Sequence, residues 1–162
     1  MRISIQNEPE ACDLPLPSYA TSGAAGMDLY AAVIQTVTLA PGERCLISTG
    51  IRLAIPPGYE GQVRPRSGLA LRHGVSLVNS PGTIDSDFRN VVGVLLINLG
   101  QEIFFIHRGD RIAQLVIAQV ARVEWEEVVN GSLPVTVRGE GGFGSTGNSA
   151  IRENEHGISA AE

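Results

Sequence analysis

The chain has 162 residues and a net charge of −5, and all twelve of its Lys/Arg residues are arginine. Without lysine it can form neither a G-x-x-x-x-G-K-[ST] phosphate loop nor a Schiff base, and its acidity excludes a general electrostatic grip on nucleic acid. Nineteen glycines, roughly 12% against a usual ~7%, together with 18% charged residues against ~25%, point to a turn-rich, β-rich chain of single-domain length.

In chain order, Met1-Arg2-Ile3-Ser4-Ile5 carries no apolar leader. The richest apolar run, Val91 to Leu99, is broken by Gly93 and Asn98 and is too short to span a bilayer. A soluble cytoplasmic protein without a membrane partner is therefore expected. Cys12 and Cys45 lie far apart with no C-x-x-C or His companion, so neither a disulfide framework nor a zinc site is expected, and both read as buried thiols. From Cys45 to Ile55 the odd positions are mostly apolar, which predicts one strand, or two with a bend near Gly50, ending at Pro56-Pro57-Gly58. The one helix expected is short, Ser67 to His73, closed by Gly74. Val91 to Asn98 is apolar on both faces, as in a covered central strand, and Ile103 to His107 and Ile112 to Val120 follow as further strands. The class is all-β: a sandwich, jelly roll or small barrel. After Asn130 the composition shifts, with five glycines between Gly139 and Gly147 and a polar tail over 148–162 that is expected to be mobile.

Four stretches set polar or charged groups beside glycine. In Ala24-Ala25-Gly26-Met27-Asp28-Leu29-Tyr30 a single aspartate interrupts small and apolar residues, and alone it reads as a turn former or strand-end cap. Arg64-Pro65-Arg66-Ser67-Gly68 ends a strand and opens the helix, so backbone N–H groups, a hydroxyl and a guanidinium could converge on an oxyanion; a capped helix start with a solvated arginine is the alternative. In the stretch from Val78 to Arg89, Pro81-Gly82 suits the centre of a type II turn, which would set Asn79 and Asp85 across a hairpin, either as a site or as ordinary turn chemistry. Arg138 to Gly147 places Phe143 among glycines, with Ser145 after it, as a flap over a nucleotide would need; disorder is the other reading.

Taken in this order, and with Arg111-Ile112-Ala113-Gln114-Leu115-Val116 as the fourth, these stretches resemble the five motifs of the trimeric dUTP diphosphatase (dUTPase) family, from Ala24 to Gly147. The resemblance implies a jelly-roll-like β barrel with one short helix, assembled as a homotrimer whose active sites are shared between subunits. It also implies hydrolysis of dUTP to dUMP and diphosphate with Mg²⁺ as cofactor, which limits uracil in DNA and supplies dUMP for thymidylate synthesis. The expected organisation is a barrel over 1–137, a glycine-rich active-site arm over 138–147 and a tail over 148–162.

By the same resemblance, Asp85 orients and deprotonates the attacking water and Arg138 acts as an arginine finger, while Asp28 holds Mg²⁺ through water. Arg66, Ser67, Gly68 and Gln114 contact the phosphates. Asn79, Gly82, Ile84 and Phe88 form the uracil and deoxyribose pocket, and Phe143, Gly144 and Ser145 close over the nucleotide. Phe88 and Asn90 depart from the family's usual tyrosine and glycine. Asp87, Arg89 and Arg111 are read as structural or interfacial, and His73, His107 and His156 as non-catalytic. A dCTP deaminase, which shares the fold, would carry a glutamate where this chain has Leu95, three residues before Asn98. A non-catalytic nucleotide-sensing trimer would have no need of Asp28, Asp85 and Arg138 together.

Overall fold

The computed structural model describes residues 1–129 and 131–142. It divides into two compact units, Met1–Arg122 and Val123–Glu162. The first unit is all-β apart from one helix and one short 3-10 turn. Its strands are β1 (Ser4–Asn7), β2 (Met27–Tyr30), β3 (Val37–Leu39), β4 (Arg44–Ser48), β5 (Ile51–Ala54), β6 (Tyr59–Arg64), β7 (Val75–Leu77), β8 (Gly82–Ile84), β9 (Gly93–Asn98), β10 (Phe104–Ile106) and β11 (Arg111–Gln119), with helix α1 (Ser67–His73) between β6 and β7. They pair as a four-stranded sheet in the order β2-β11-β6-β8, a three-stranded sheet β4-β9-β7, and the pairs β1-β5 and β3-β10. Every pairing is antiparallel.

Alternation along the strands builds the core. Leu53 and Ile55, Val63, Val94 and Leu96, and Leu115 point inward and are buried, while their neighbours face out. The apolar run predicted as a single central strand is β9, in the middle of its sheet. Its outer residues Leu95 and Ile97 are only half-buried, so the face opposite the core is less covered within one chain than both-face hydrophobicity predicts.

The predicted bend at Gly50 is present. Gly50 has φ +68°, a Cβ there would collide with the Ala11 Cβ, and its carbonyl accepts from the Glu8 N–H at 2.7 Å. Separation into β4 and β5 follows, since an L side chain is disfavoured at that φ. Helix α1 ends as predicted, at Gly74 with φ 68°, whose N–H donates to the Ala70 carbonyl. Asn98 is fully buried; its amide donates to the carbonyls of Leu39 (2.9 Å) and Glu102 (2.8 Å), and its Oδ1 accepts from the Gly100 N–H. That asparagine ties β9 to the turns around it.

Two local expectations are corrected. Cys12 is exposed rather than buried, and Cys45 is half-buried. Cys12 lies just past the 3-10 turn Pro9–Ala11, which buries Ala11 and turns the next side chain outward. The segment from Val75 to Phe88 is not a hairpin about a type II turn. The Ser80–Pro81 peptide is cis, β7 pairs with β9, and β8 pairs with β6, so the loop between them passes from one sheet to the other.

In the second unit, residues 123–129 and 131–142 contain bends and a turn at 137–140 but no strand or helix. Among the described residues, no helix is long and apolar enough to cross a membrane.

Candidate active site

The outward face of the four-stranded sheet collects the first group of candidates. Asp28 on β2 lies directly opposite Gln114 on β11, which lies opposite Arg64 on β6. Adjacent Leu29 and Ala113 point the other way and are fully buried, so the pleat directs Asp28 and Gln114 away from the core. Gly26 leaves room for the glutamine: a Cβ there would meet Gln114 Oε1 at 3.3 Å. Arg66, extended at the N-cap of α1, reaches back to Asp28, and its Nε donates to Oδ1 at 2.9 Å. The other carboxylate oxygen accepts from Arg111 Nη1 at 3.4 Å, and Arg66 Nη1 also donates to the Arg111 carbonyl at 3.2 Å. Asp28 is thus held at both oxygens, with its side chain 17% exposed. Ser67 and Gly68 open α1 beside Arg66; a Cβ at Gly68 would sit 3.1 Å from the Arg72 guanidinium. A cleft of about 300 Å³ lined by Arg66, Leu69, Phe104, Phe105, Asp110, Arg111 and Ile112 adjoins this group.

The second group lies around β8, at the opposite edge of the same sheet. Gly82 and Ile84 are buried against β6, paired with Val63 and Gly61. The Asn79 amide packs against Gly82, where a Cβ would lie 3.0 Å from Nδ2. Asp85 follows β8 with an exposed side chain, and its carbonyl accepts from the Phe88 N–H at 3.2 Å in a tight turn. Phe88 is 38% exposed. The Asn90 side chain is bonded on both sides: Oδ1 accepts from the Val91 N–H at 2.8 Å and from Arg52 at 3.3 Å. Asp85, Ser86 and Asp87 border a cavity of about 280 Å³ with Gly58, Tyr59, Glu60, Val120 and Arg122.

Three strand spacings separate β2 from β8, roughly 14 Å. The cleft beside Arg66 and the cavity beside Asp85 share no lining residue. Within one chain, Asp28 and Asp85 therefore stand apart, whereas Arg66, Ser67 and Gly68 follow β6, the strand next to β8.

Arg138 lies in the second unit, in the turn before Gly139 (φ 52°), and its Nε donates to the Gly141 carbonyl at 2.7 Å. Phe143, Gly144 and Ser145, the 148–162 tail and His156 lie outside the described residues. His73 packs its ring on Phe104 and His107 pairs with Asp110, so neither joins the two groups. Arg111, read from the sequence as structural or interfacial, stands 3.4 Å from Asp28, a contact the sequence did not point to. The only sequence signal was its place in the fourth motif.

Among the described residues no cluster of three or more His, Cys, Asp or Glu side chains could cage a metal. Asp28 offers one carboxylate, each oxygen of which retains acceptor capacity beyond its arginine. That donor set fits an ion that keeps most of its water shell, as Mg²⁺ does, and not one that needs an all-protein cage.

A profile of the dUTPase family matches residues 13–147. The chain is 57% identical over 155 residues to the deoxyuridine 5'-triphosphate nucleotidohydrolase of Methylocella silvestris, covering 94% of this chain and 96% of that protein. To the protein of the same name from Roseobacter denitrificans it is 61% identical over 135 residues, 83% of this chain and 88% of that one. Among solved structures, a mutant dUTPase of Staphylococcus bacteriophage 80alpha with dUpNHpp superposes with a TM-score of 0.79 at 25% identity, over 91% of this chain and 99% of that one. With the motif residues distributed over this jelly-roll-like scaffold, the chain belongs to the dUTPase family.

Proposed function

We propose that the protein hydrolyses dUTP to dUMP and diphosphate, as a homotrimer in which each active site takes residues from more than one subunit. The observation that carries this reading is the family match over residues 13–147, which runs through all five motifs.

Asn79, with main-chain groups around Gly82 and Ile84, reads the uracil edge. Cytosine would reverse donors and acceptors there and leave buried groups unpaired, at about 1–3 kcal/mol each. Phe88 packs against the deoxyribose and leaves no room for a 2′-hydroxyl. Arg66, Ser67, Gly68 and Gln114 bind the phosphates. Asp85 holds the attacking water and takes its proton as the water adds at the α-phosphorus and diphosphate leaves. Arg138 neutralises charge on the terminal phosphate with donors its turn leaves free, and Phe143, Gly144 and Ser145 cover the nucleotide. Asp28 would hold Mg²⁺ through its water shell; when bound, the ion offsets phosphate charge and fixes the triphosphate conformation.

Shared sites are supported by the placement of Asp28 and Asp85 at opposite edges of one sheet within a single chain. They are supported also by the second unit, where Val123 and Trp125, and then Leu133, Val135 and Val137, alternate with polar residues or proline and are exposed, Trp125 at 93% and Val135 at 96%. Period-two apolar residues without a strand partner suit a segment that pairs with another subunit. Deamination of dCTP is not favoured, because Leu95 cannot move protons and the Asn98 amide is occupied by structural hydrogen bonds.

Diphosphate release from dUTP, dCTP, dTTP and UTP, each with Mg²⁺ and with chelator, tests the reading. Release from dUTP alone, dependent on Mg²⁺, is expected. Comparable release from dCTP or UTP, or ammonia from dCTP, overturns it.

A further inference from the structure

We infer that Arg111 is a positioning residue for the phosphate-binding end of the site, acting through Asp28; this rests on the dUTP-hydrolysing reading above. In an unbroken strand, residues three apart project to opposite faces, so Arg111 and Gln114 would be separated by the sheet. The register shows otherwise. Arg111 pairs with Tyr30 and Ala113 with Leu29, which leaves Ile112 as an extra residue in β11. Ile112 and Ala113 are both buried, at 1% and 0%, while Arg111 and Gln114 flank them on the outside. This β-bulge brings Arg111 to the face that carries Asp28 and Gln114; bulges re-aim side chains in this way.

The consequence is a two-point hold. Arg66 Nε donates to one oxygen of Asp28 and Arg111 Nη1 to the other, and the Arg111 carbonyl receives Arg66 Nη1. The plane of the carboxylate, and with it the direction of the Arg66 fork, is set from both sides. Without the Arg111 side chain, Oδ2 is free and the carboxylate can rotate, taking the Arg66 guanidinium with it. Arg111 reaches Asp28 through a single nitrogen, so a lysine can stand in for it.

The test is calorimetric binding of a non-hydrolysable dUTP analogue and of dUMP to the full-length protein with Mg²⁺, alongside melting temperature and diphosphate release. Arg111→Ala should bind the analogue roughly tenfold more weakly, the loss typical of a removed supporting partner. dUMP, which lacks the β- and γ-phosphates, should bind as to wild type, and the melting temperature should not move. Arg111→Lys should return analogue binding to within about threefold of wild type, and in an Asp28→Asn background Arg111→Ala should cost less than about twofold more, since the two side chains act as a unit. Unchanged analogue binding in Arg111→Ala, additive losses in the double variant, or a joint fall in melting temperature and dUMP binding overturns the inference. An active wild type with an unchanged variant sinks the inference alone, whereas a wild type that releases no diphosphate from dUTP sinks the functional reading with it.

Discussion

Asp28 and Asp85 are carboxylates with different surroundings. Asp28 is pinned by two guanidinium groups, whereas no hydrogen bond reaches the Asp85 carboxylate among the described residues, and its side chain is exposed. A carboxylate left free in this way can accept a proton from water. On the proposed mechanism Asp85→Asn keeps the shape but removes the base, so binding of a non-hydrolysable dUTP analogue should persist while turnover falls by about 10²–10⁴-fold; undiminished turnover would remove Asp85 from the mechanism. The cysteines give a second prediction at this scale. Burial, with Glu43 nearby, pushes the Cys45 thiol above its ordinary value, and Cys12 is exposed. A raised value means less thiolate at any pH below it, so at pH 8 iodoacetamide should modify exposed Cys12 first, and Cys45 should gain reactivity only as the pH is raised further. Peptide mapping of the alkylated protein reads the order.

Among the elements, α1 has the clearest dependence on one position. Gly74 adopts φ +68°, and a Cβ there would lie 2.5 Å from the Gly100 nitrogen, a backbone atom that cannot move aside. Gly58, at φ +85°, has nothing within 4 Å of the same imagined atom. Gly58→Ala should therefore cost only the left-handed penalty of about 1–2 kcal/mol, and Gly74→Ala clearly more. Melting midpoints of the two variants, compared with wild type, check the order, and equal shifts would argue against the collision. Much at this scale is legible in sequence. The α1 boundary, the bend at Gly50 and the strands β9, β10 and β11 follow from period and punctuation, because both act within a few residues. The pairing of β7 with β9 and of β8 with β6 does not, because Val75–Leu77 and Gly82–Ile84 look like the two arms of a hairpin until strands distant in sequence compete for them.

For the whole molecule the question to test is the proposed sharing of sites between subunits. Asp28 and Asp85 sit at opposite edges of one sheet, and the second unit exposes two short apolar runs, Val123 with Trp125 and Leu133 with Val135 and Val137. Sedimentation equilibrium should therefore return three times the chain mass of 17.2 kDa, and a monomer with full activity would refute shared sites. Removing 138–162 leaves Met1–Arg122 intact and spares the alternating apolar residues, so the truncated protein should remain folded and trimeric. It should lose about 10³-fold or more in turnover, the scale of a missing arginine finger. If circular dichroism shows it unfolded, the segment is part of the fold rather than an arm.

The sequence by itself determined the all-β class, the one short helix, the order of the five motifs and so the family, since each of these is written in neighbouring residues. Arginine has a structural use at one position, Arg66, whose fork donates from Nε to Asp28 and from Nη1 to the Arg111 carbonyl, a pairing that a lysine would not reproduce. Only the tertiary structure decided which motif residues meet. Asp28 and Arg111 are 83 positions apart, and the single extra residue at Ile112 that lets them meet looks in sequence like any other apolar position. A bulge is a property of two paired strands, and no one strand's pattern records which partner it will have or in what register.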